Sequence, residues 1–230
     1  MNLLSVNTST RQYSLAVMRD EILLGEYILP PGSSHFGDLM PSLHDLLIKV
    51  GLGPQELDGL VVALGPGSFT GIRIGLSVVK GLAQCLNIPV VGVPTLHAMA
   101  SQLPYLREDI CPLVTSRKGE VFTALFRWSS EGRLSRIKQD VCVRMSDLRS
   151  IVKDKTIFIG NDLATQGTTL RQQLKWKPLL APAHLWNLKA SFVGALGLKR
   201  LKRGHSDDLS ELVPIYLRGA DIRLPTMKST

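Results

Sequence analysis

LVVALGPGSFTGIRIGLSVVKGLAQCL, residues 60–86, divides into three parts. The opening run 60–64 is short, branched and apolar, as in a strand covered on both faces. Gly65-Pro66-Gly67 cannot continue a strand and marks a turn. Ser68 then stands where an N-cap belongs, one residue before a helix starting near Phe69. At about 100° per residue, Arg73, Ser77, Lys80 and Gln84 share one narrow polar stripe, which leaves an apolar or small arc of roughly 220°. Gly71 and Gly75, one turn apart, form a flat strip suited to close approach. One side of such a helix serves its own core. The other side is available to a second helix, of this chain or of another molecule.

Working outward, residues 2–7, 13–18 and 22–29 read as a three-stranded meander. Pro30-Pro31-Gly32 ends it. Ser33 or Ser34 is positioned to cap a helix over 34–50, whose apolar residues Phe36, Leu39, Met40, Leu43, Leu46, Leu47 and Val50 recur at helical spacing and which Pro41 should kink. Beyond the organising helix come a strand at 90–93 and a helix at 95–102 closed by Pro104. A second pass then begins: strands at 111–116, 120–128 and 136–143, a short helix capped by Ser146 and reaching 152, and a strand at 156–160. It repeats the order of the first pass without evident sequence identity. A long amphipathic helix at 187–203 ends at Gly204, residues 214–218 (PIYLR) are extended, and the tail after 224 is expected to fray. The pattern gives an α/β protein of two lobes, 1–103 and 104–230, each a mixed sheet with covering helices, with helix 187–203 placed between the lobes.

The 230 residues are 44% hydrophobic and 20% charged, which excludes a disordered chain. The net charge of +8 and pI near 9.6 suit contact with nucleic acid, and much of it falls late, around Lys199-Arg200-Leu201-Lys202-Arg203. Cys85, Cys111 and Cys142 show no CxxC spacing and read as thiols of a reducing compartment. No leader peptide or membrane-length apolar run is evident, so a cytoplasmic protein is expected.

Candidate chemistry is sparse. Gly65, Gly67 and Gly71 give GxGxxxG, which is neither the dinucleotide fingerprint nor a Walker loop. His35, His44, His97, His184 and His205 show no ligand spacing, so no metal or other cofactor is expected. No GxSxG or Cys–His signature supplies a nucleophile, so no catalytic residue is assigned. The first turn, with Thr8, Ser9, Thr10 and Ser14, resembles the phosphate hairpin of the actin-like ATPase superfamily. In that superfamily an aspartate in the first strand holds Mg²⁺ and water near the phosphates. Here the position is Asn7, and its counterpart in the second half, near Thr115 or Ser116, is also uncharged.

Taken together, NTST at 7–10, GPGSFTGIRIG at 65–75, GLAQCLNIPVVGVPTL at 81–96, SRKGEVFTALF at 116–126 and PIYLR at 214–218 resemble the TsaB (YeaZ) family. The resemblance covers most of the chain and implies an actin-like (ASKHA, RNase H-like) fold. It also implies membership of the bacterial machinery that makes N6-threonylcarbamoyladenosine at position 37, beside the anticodon of ANN-decoding tRNAs. Members of the family are non-catalytic partners of TsaD, a catalytic paralogue, and TsaE, an ATPase, joins the pair. TsaD carries two metal-binding histidines four residues apart. Thr95 and Met99 stand at those positions here, with His97 between them.

The expectation is therefore a scaffold and activating subunit, with tRNA reached through the complex and a homodimer when the partner is absent. Partner contact is assigned to Phe36, Leu39, Met40, Leu43, Gly71, Ile74, Gly75, Val78 and Leu82. A bulky residue at Gly75 should then abolish pairing without unfolding. Two alternatives remain: an actin-like small-molecule kinase or ATPase, and direct tRNA binding by helix 187–203.

Overall fold

A computed structural model describes residues 1–29 and 37–218. Two five-stranded sheets share one plan. The first runs β3-β2-β1-β4-β5 and the second β8-β7-β6-β9-β10, so each has an antiparallel meander joined to two parallel strands. The first sheet comprises β1 (Asn2–Asn7), β2 (Ser14–Arg19), β3 (Ile22–Ile28), β4 (Gly59–Ala63) and β5 (Val90–Val93). The second comprises β6 (Ile110–Thr115), β7 (Glu120–Trp128), β8 (Leu134–Arg144), β9 (Ile157–Gly160) and β10 (Leu179–Leu180). Central β4 is buried at every position, as its unbroken apolar run requires, whereas edge strand β3 is largely exposed or half-buried.

On one face of the first sheet lie α1 (Leu39–Lys49) and α2 (Phe69–Leu86). They close a core around Leu4, Val6, Leu60 and Val62 with Leu39, Leu43, Leu46, Leu76 and Val79. On the other face lies α5 (Ala190–Leu201), packed over β1, β2, β4 and β5. Gly194 and Gly197 let its backbone approach Ser5 and Val61, where a β-carbon would collide. The second sheet begins at Ile110, yet the first sheet is completed only by a helix that follows the second sheet in the chain. A sheet apolar on both faces needs two covers, and the second arrives from the end of the chain. Helix α3 (Thr95–Ser101) touches α5 and also β6 and β7, so a single core runs from Leu3 and Val61 through Met99 to Phe122, Phe126 and Trp186.

Three expectations change. Helix α1 begins at Leu39, five residues after the expected start, and Asp38 caps it without a side-chain hydrogen bond. Pro41 consequently sits in the first turn, where its missing N–H has no partner to lose. The residues expected to open the helix, Ser33, Ser34 and Phe36, lie outside the described residues, as does the tail from 219. Residues Met145–Ser150 form a 3₁₀ turn rather than a helix capped by Ser146, whose hydroxyl bonds Asp147. Unforeseen elements follow β9: a π turn at Leu163–Gly167 that runs into α4 (Thr168–Gln173), then a 3₁₀ turn at Ala183–Leu185.

Candidate functional site

The turn at 65–68 and the first half of α2 form a socket for the β1–β2 turn. Ser68 caps α2 as expected, its Oγ accepting from the Gly71 N–H at 3.2 Å, and its own N–H donates to the Ser9 carbonyl at 2.8 Å. A β-carbon at Gly67 would overlap the Ser9 carbonyl, and one at Gly71 the Thr8 carbonyl. At Gly75 it would overlap Thr8 Oγ1, which is buried without a hydrogen-bond partner. The small-residue strip is therefore filled from within the first lobe. The expectation that a second molecule occupies it at Gly71 and Gly75 is corrected, because the first turn already lies there.

The remaining residues assigned to partner contact divide by exposure. Leu39 and Leu43 are core residues at 1% and 4% exposure, and Met40 is 47% exposed. Ile74, Val78 and Leu82 are half-buried on the flank of α2. Ile48, absent from the expected set, is 61% exposed and lies two turns beyond Met40 on the same face of α1. That spacing was present in the sequence. The polar stripe of α2 is partly engaged. The Arg73 guanidinium lies 3.8 Å from the Phe69 ring centroid, and its Nε donates to the Tyr216 hydroxyl at 2.8 Å. The 214–218 segment thus returns to the start of α2, where the Ile215 N–H also donates to the Leu64 carbonyl.

Between the lobes opens a cleft of about 1000 Å³, bounded by Ser9, Arg11 and Ser68 on one side and by residues 115–121, Arg144 and residues of 161–173 on the other. Behind Ser9, Asn7 is buried with an amide matched at every atom. Its Nδ2 donates to Thr10 Oγ1 and the Leu188 carbonyl at 3.1 and 2.9 Å, and its Oδ1 accepts from the N–H and hydroxyl of Ser9. In the second lobe Asn161 Oδ1 accepts from the N–H and hydroxyl of Thr115, both at 3.0 Å, and from Gln166 Nε2. Sequence reasoning missed Asn161 and Gln166; the signal was the Asn-Asp pair directly after β9. Both polar knots are neutral. Arg11, Lys118 and Arg144 line the cleft with Glu120, whose carboxyl the Arg117 side chain holds below its usual range.

Thr95 and Met99 are fully buried and have structural roles. Thr95 exchanges hydrogen bonds with Gly65 through both its N–H (2.8 Å) and its Oγ1 (3.1 Å). Between them, His97 stacks on Phe126 at 5.6 Å, and burial, with the positive charges of Arg136 and Lys199, lowers its pKa. Among the described residues no three His, Cys, Asp or Glu side chains converge as a metal site. No helix there is long and apolar enough to cross a membrane.

A family model described as TsaD, tRNA N6-adenosine threonylcarbamoyltransferase, matches residues 31–207. The chain is 32% identical to the tRNA threonylcarbamoyladenosine biosynthesis protein TsaB of Bacillus subtilis, over all of this chain and 99% of that protein. The chain belongs to the TsaB (YeaZ) family. Similarity to a transferase of the TsaD type, from Nitratidesulfovibrio vulgaris, reaches 34% but covers 47% of the chain and 34% of that protein. In fold, YeaZ from Pseudomonas aeruginosa matches with a TM-score of 0.76 at 23% identity, over 94% of this chain and 99% of that one. The activator of 2-hydroxyisocaproyl-CoA dehydratase from Clostridium difficile, with bound ADPNP, matches at 0.52 and 10% identity over 89% and 97%. The actin-like architecture is thereby shown, and the doubled strand order is its signature in this chain.

Proposed function

We propose that this chain is a non-catalytic subunit of the cytoplasmic complex that installs the threonylcarbamoyl group on adenosine 37 of ANN-decoding tRNAs, binding and activating a TsaD-like paralogue. A TsaE-like ATPase joins the pair, and the chain self-associates when the paralogue is absent. The observation that carries the reading is the end-to-end match to TsaB, over all of this chain and 99% of that protein. The docking surface is the outer flank of α1 and α2: Met40 and Ile48, with Ile74, Val78 and Leu82 beside them. Two exposed apolar side chains on one helix face, with half-buried apolar residues on the neighbouring helix, mark a contact surface.

The test is co-purification with the paralogue from the same source, followed by tRNA modification assays with and without this chain. Met40→Glu with Ile48→Glu should weaken pairing at least tenfold, about 1.4 kcal/mol, and leave the melting temperature unchanged because both side chains project outward. Wild-type pairing by that variant would refute the surface. Full modification by the paralogue alone would refute the activating role. The kinase or ATPase alternative predicts Mg²⁺-dependent ATP turnover by the isolated chain; none above background is expected.

A further inference from the structure

A groove of about 610 Å³ runs between the C-terminal half of α5 and the β7–β8 hairpin, and α5 covers the face of the first sheet opposite α1 and α2. Arg133, Lys199 and Arg203 line it; all three are exposed, and among the described residues none pairs with a carboxylate. The fourth cation, Arg200, is held by Asp207 at 2.6 Å and by the Gly92 carbonyl, so it stabilises the wall. Like charges gathered in a concave surface repel one another and focus a positive field outward, which an incoming anion relieves. Lys199 stands in the last turn of α5 and Arg203 two residues beyond its end, so the chain turns with both cations on the groove, where successive charges of a polyanion can meet them.

An aromatic platform adjoins these cations. Trp128 lines the groove with its indole fixed by a 2.7 Å hydrogen bond to the Leu103 carbonyl. Tyr105 lies against it at 5.4 Å, 77% exposed and with φ of +59°. Cations that take phosphates beside an outward-facing ring that takes a base are the two components of single-stranded nucleic-acid recognition. An acidic protein segment would use the cations and leave the ring idle.

We propose that this groove binds the sugar-phosphate backbone of RNA, with a base stacked on Tyr105, while the α1–α2 flank engages the protein partner. The choice of tRNA as the RNA rests on the function proposed above. The two surfaces lie on opposite faces of one sheet, so both can be occupied at once.

The experiment measures affinity of the full chain for an unmodified transcript of an ANN-decoding tRNA across salt, from about 50 to 200 mM. The triple exchange R133Q/K199Q/R203Q should lose at least tenfold at low salt, and the slope of log K against log salt should become shallower by about 2–3. Tyr105→Ala should weaken binding with the slope unchanged. R171Q/K175Q/K177Q, exposed cations outside the groove, removes the same charge and should stay within twofold. If the triple exchange compromises folding, R133Q alone, on the hairpin, should make the slope shallower by about 1. No binding by the wild-type chain, equal losses in the control variant, an unaltered slope in the groove variants, or tighter binding of polyglutamate than of tRNA would each overturn the proposal. Co-purification with the paralogue is unaffected by these variants, so failure here is distinguishable from failure of the subunit assignment.

Discussion

Asn7 ties the first strand to residue 188 by donating to its carbonyl, a bond that a carboxylate cannot make. Asn7→Asp should therefore lower stability by about 1–3 kcal/mol, the cost of a buried acceptor left facing a charge. Urea titration at neutral pH reads this, and an unchanged midpoint would contradict it. Gly75→Ala pushes a β-carbon into Thr8 and should cost about 1–3 kcal/mol by overpacking. Thr8→Ala in the same chain should recover much of that loss, since the obstructing Oγ1 is gone. A double-mutant cycle showing no coupling would mean the socket is wrong. At this scale the sequence was legible where the contact was local. Ser68 capped α2 as expected because an N-cap reads only its next three residues. The occupant of Gly71 and Gly75 was not legible, because a small-residue strip looks the same whether the neighbour is a distant turn or another molecule.

Among the elements, strands and α2 could be read because their apolar periodicity is strong. Leu163, Gly167, Leu170 and Leu174 carry helical spacing too, yet the helix they form opens with a π turn and a run of threonines, and so it was missed. The start of α1 was misplaced for the opposite reason: the apolar pattern runs on past the point where the helix begins. Helix α5 is fastened at its end by Asp207, which accepts from Arg200 and from the Gly92 N–H at 2.7 Å. Burial pulls the Asp207 pKa upward, but the Arg200 and Gly92 hydrogen bonds prevail and hold it below its ordinary value. A carboxylate with a depressed folded value contributes stability above about pH 4, and the contribution is lost as pH falls through the folded value. Asp207→Asn should cost about 1 kcal/mol at pH 7, kept small because Arg200 is partly solvated. The gap from wild type should narrow below about pH 4. A gap that stays constant down to acid pH would show that the carboxylate charge is not what matters.

For the molecule as a whole, the same strand order appears twice, and the cleft between the two copies has a neutral polar knot in each half. Asn7 and the Thr115–Asn161–Gln166 knot hold each half by hydrogen bonds between neutral groups, so neither knot itself offers a carboxylate to a cation. Any ATP affinity of the isolated chain should thus be indifferent to Mg²⁺; tenfold tightening on adding the ion, read by calorimetry, would contradict this. The doubling of the plan was legible from the recurring element order, whereas the return of α5 to the first sheet was not, since amphipathicity names a buried face and not what buries it. That return has a consequence for synthesis. A ribosome releases residues 2–7 long before 190–201, so the earliest strands emerge with one greasy side bare and wait until residue 201 has been made. A nascent chain halted before residue 190 should be a client for holdase chaperones, and its sheet can be sealed only once translation has passed residue 201.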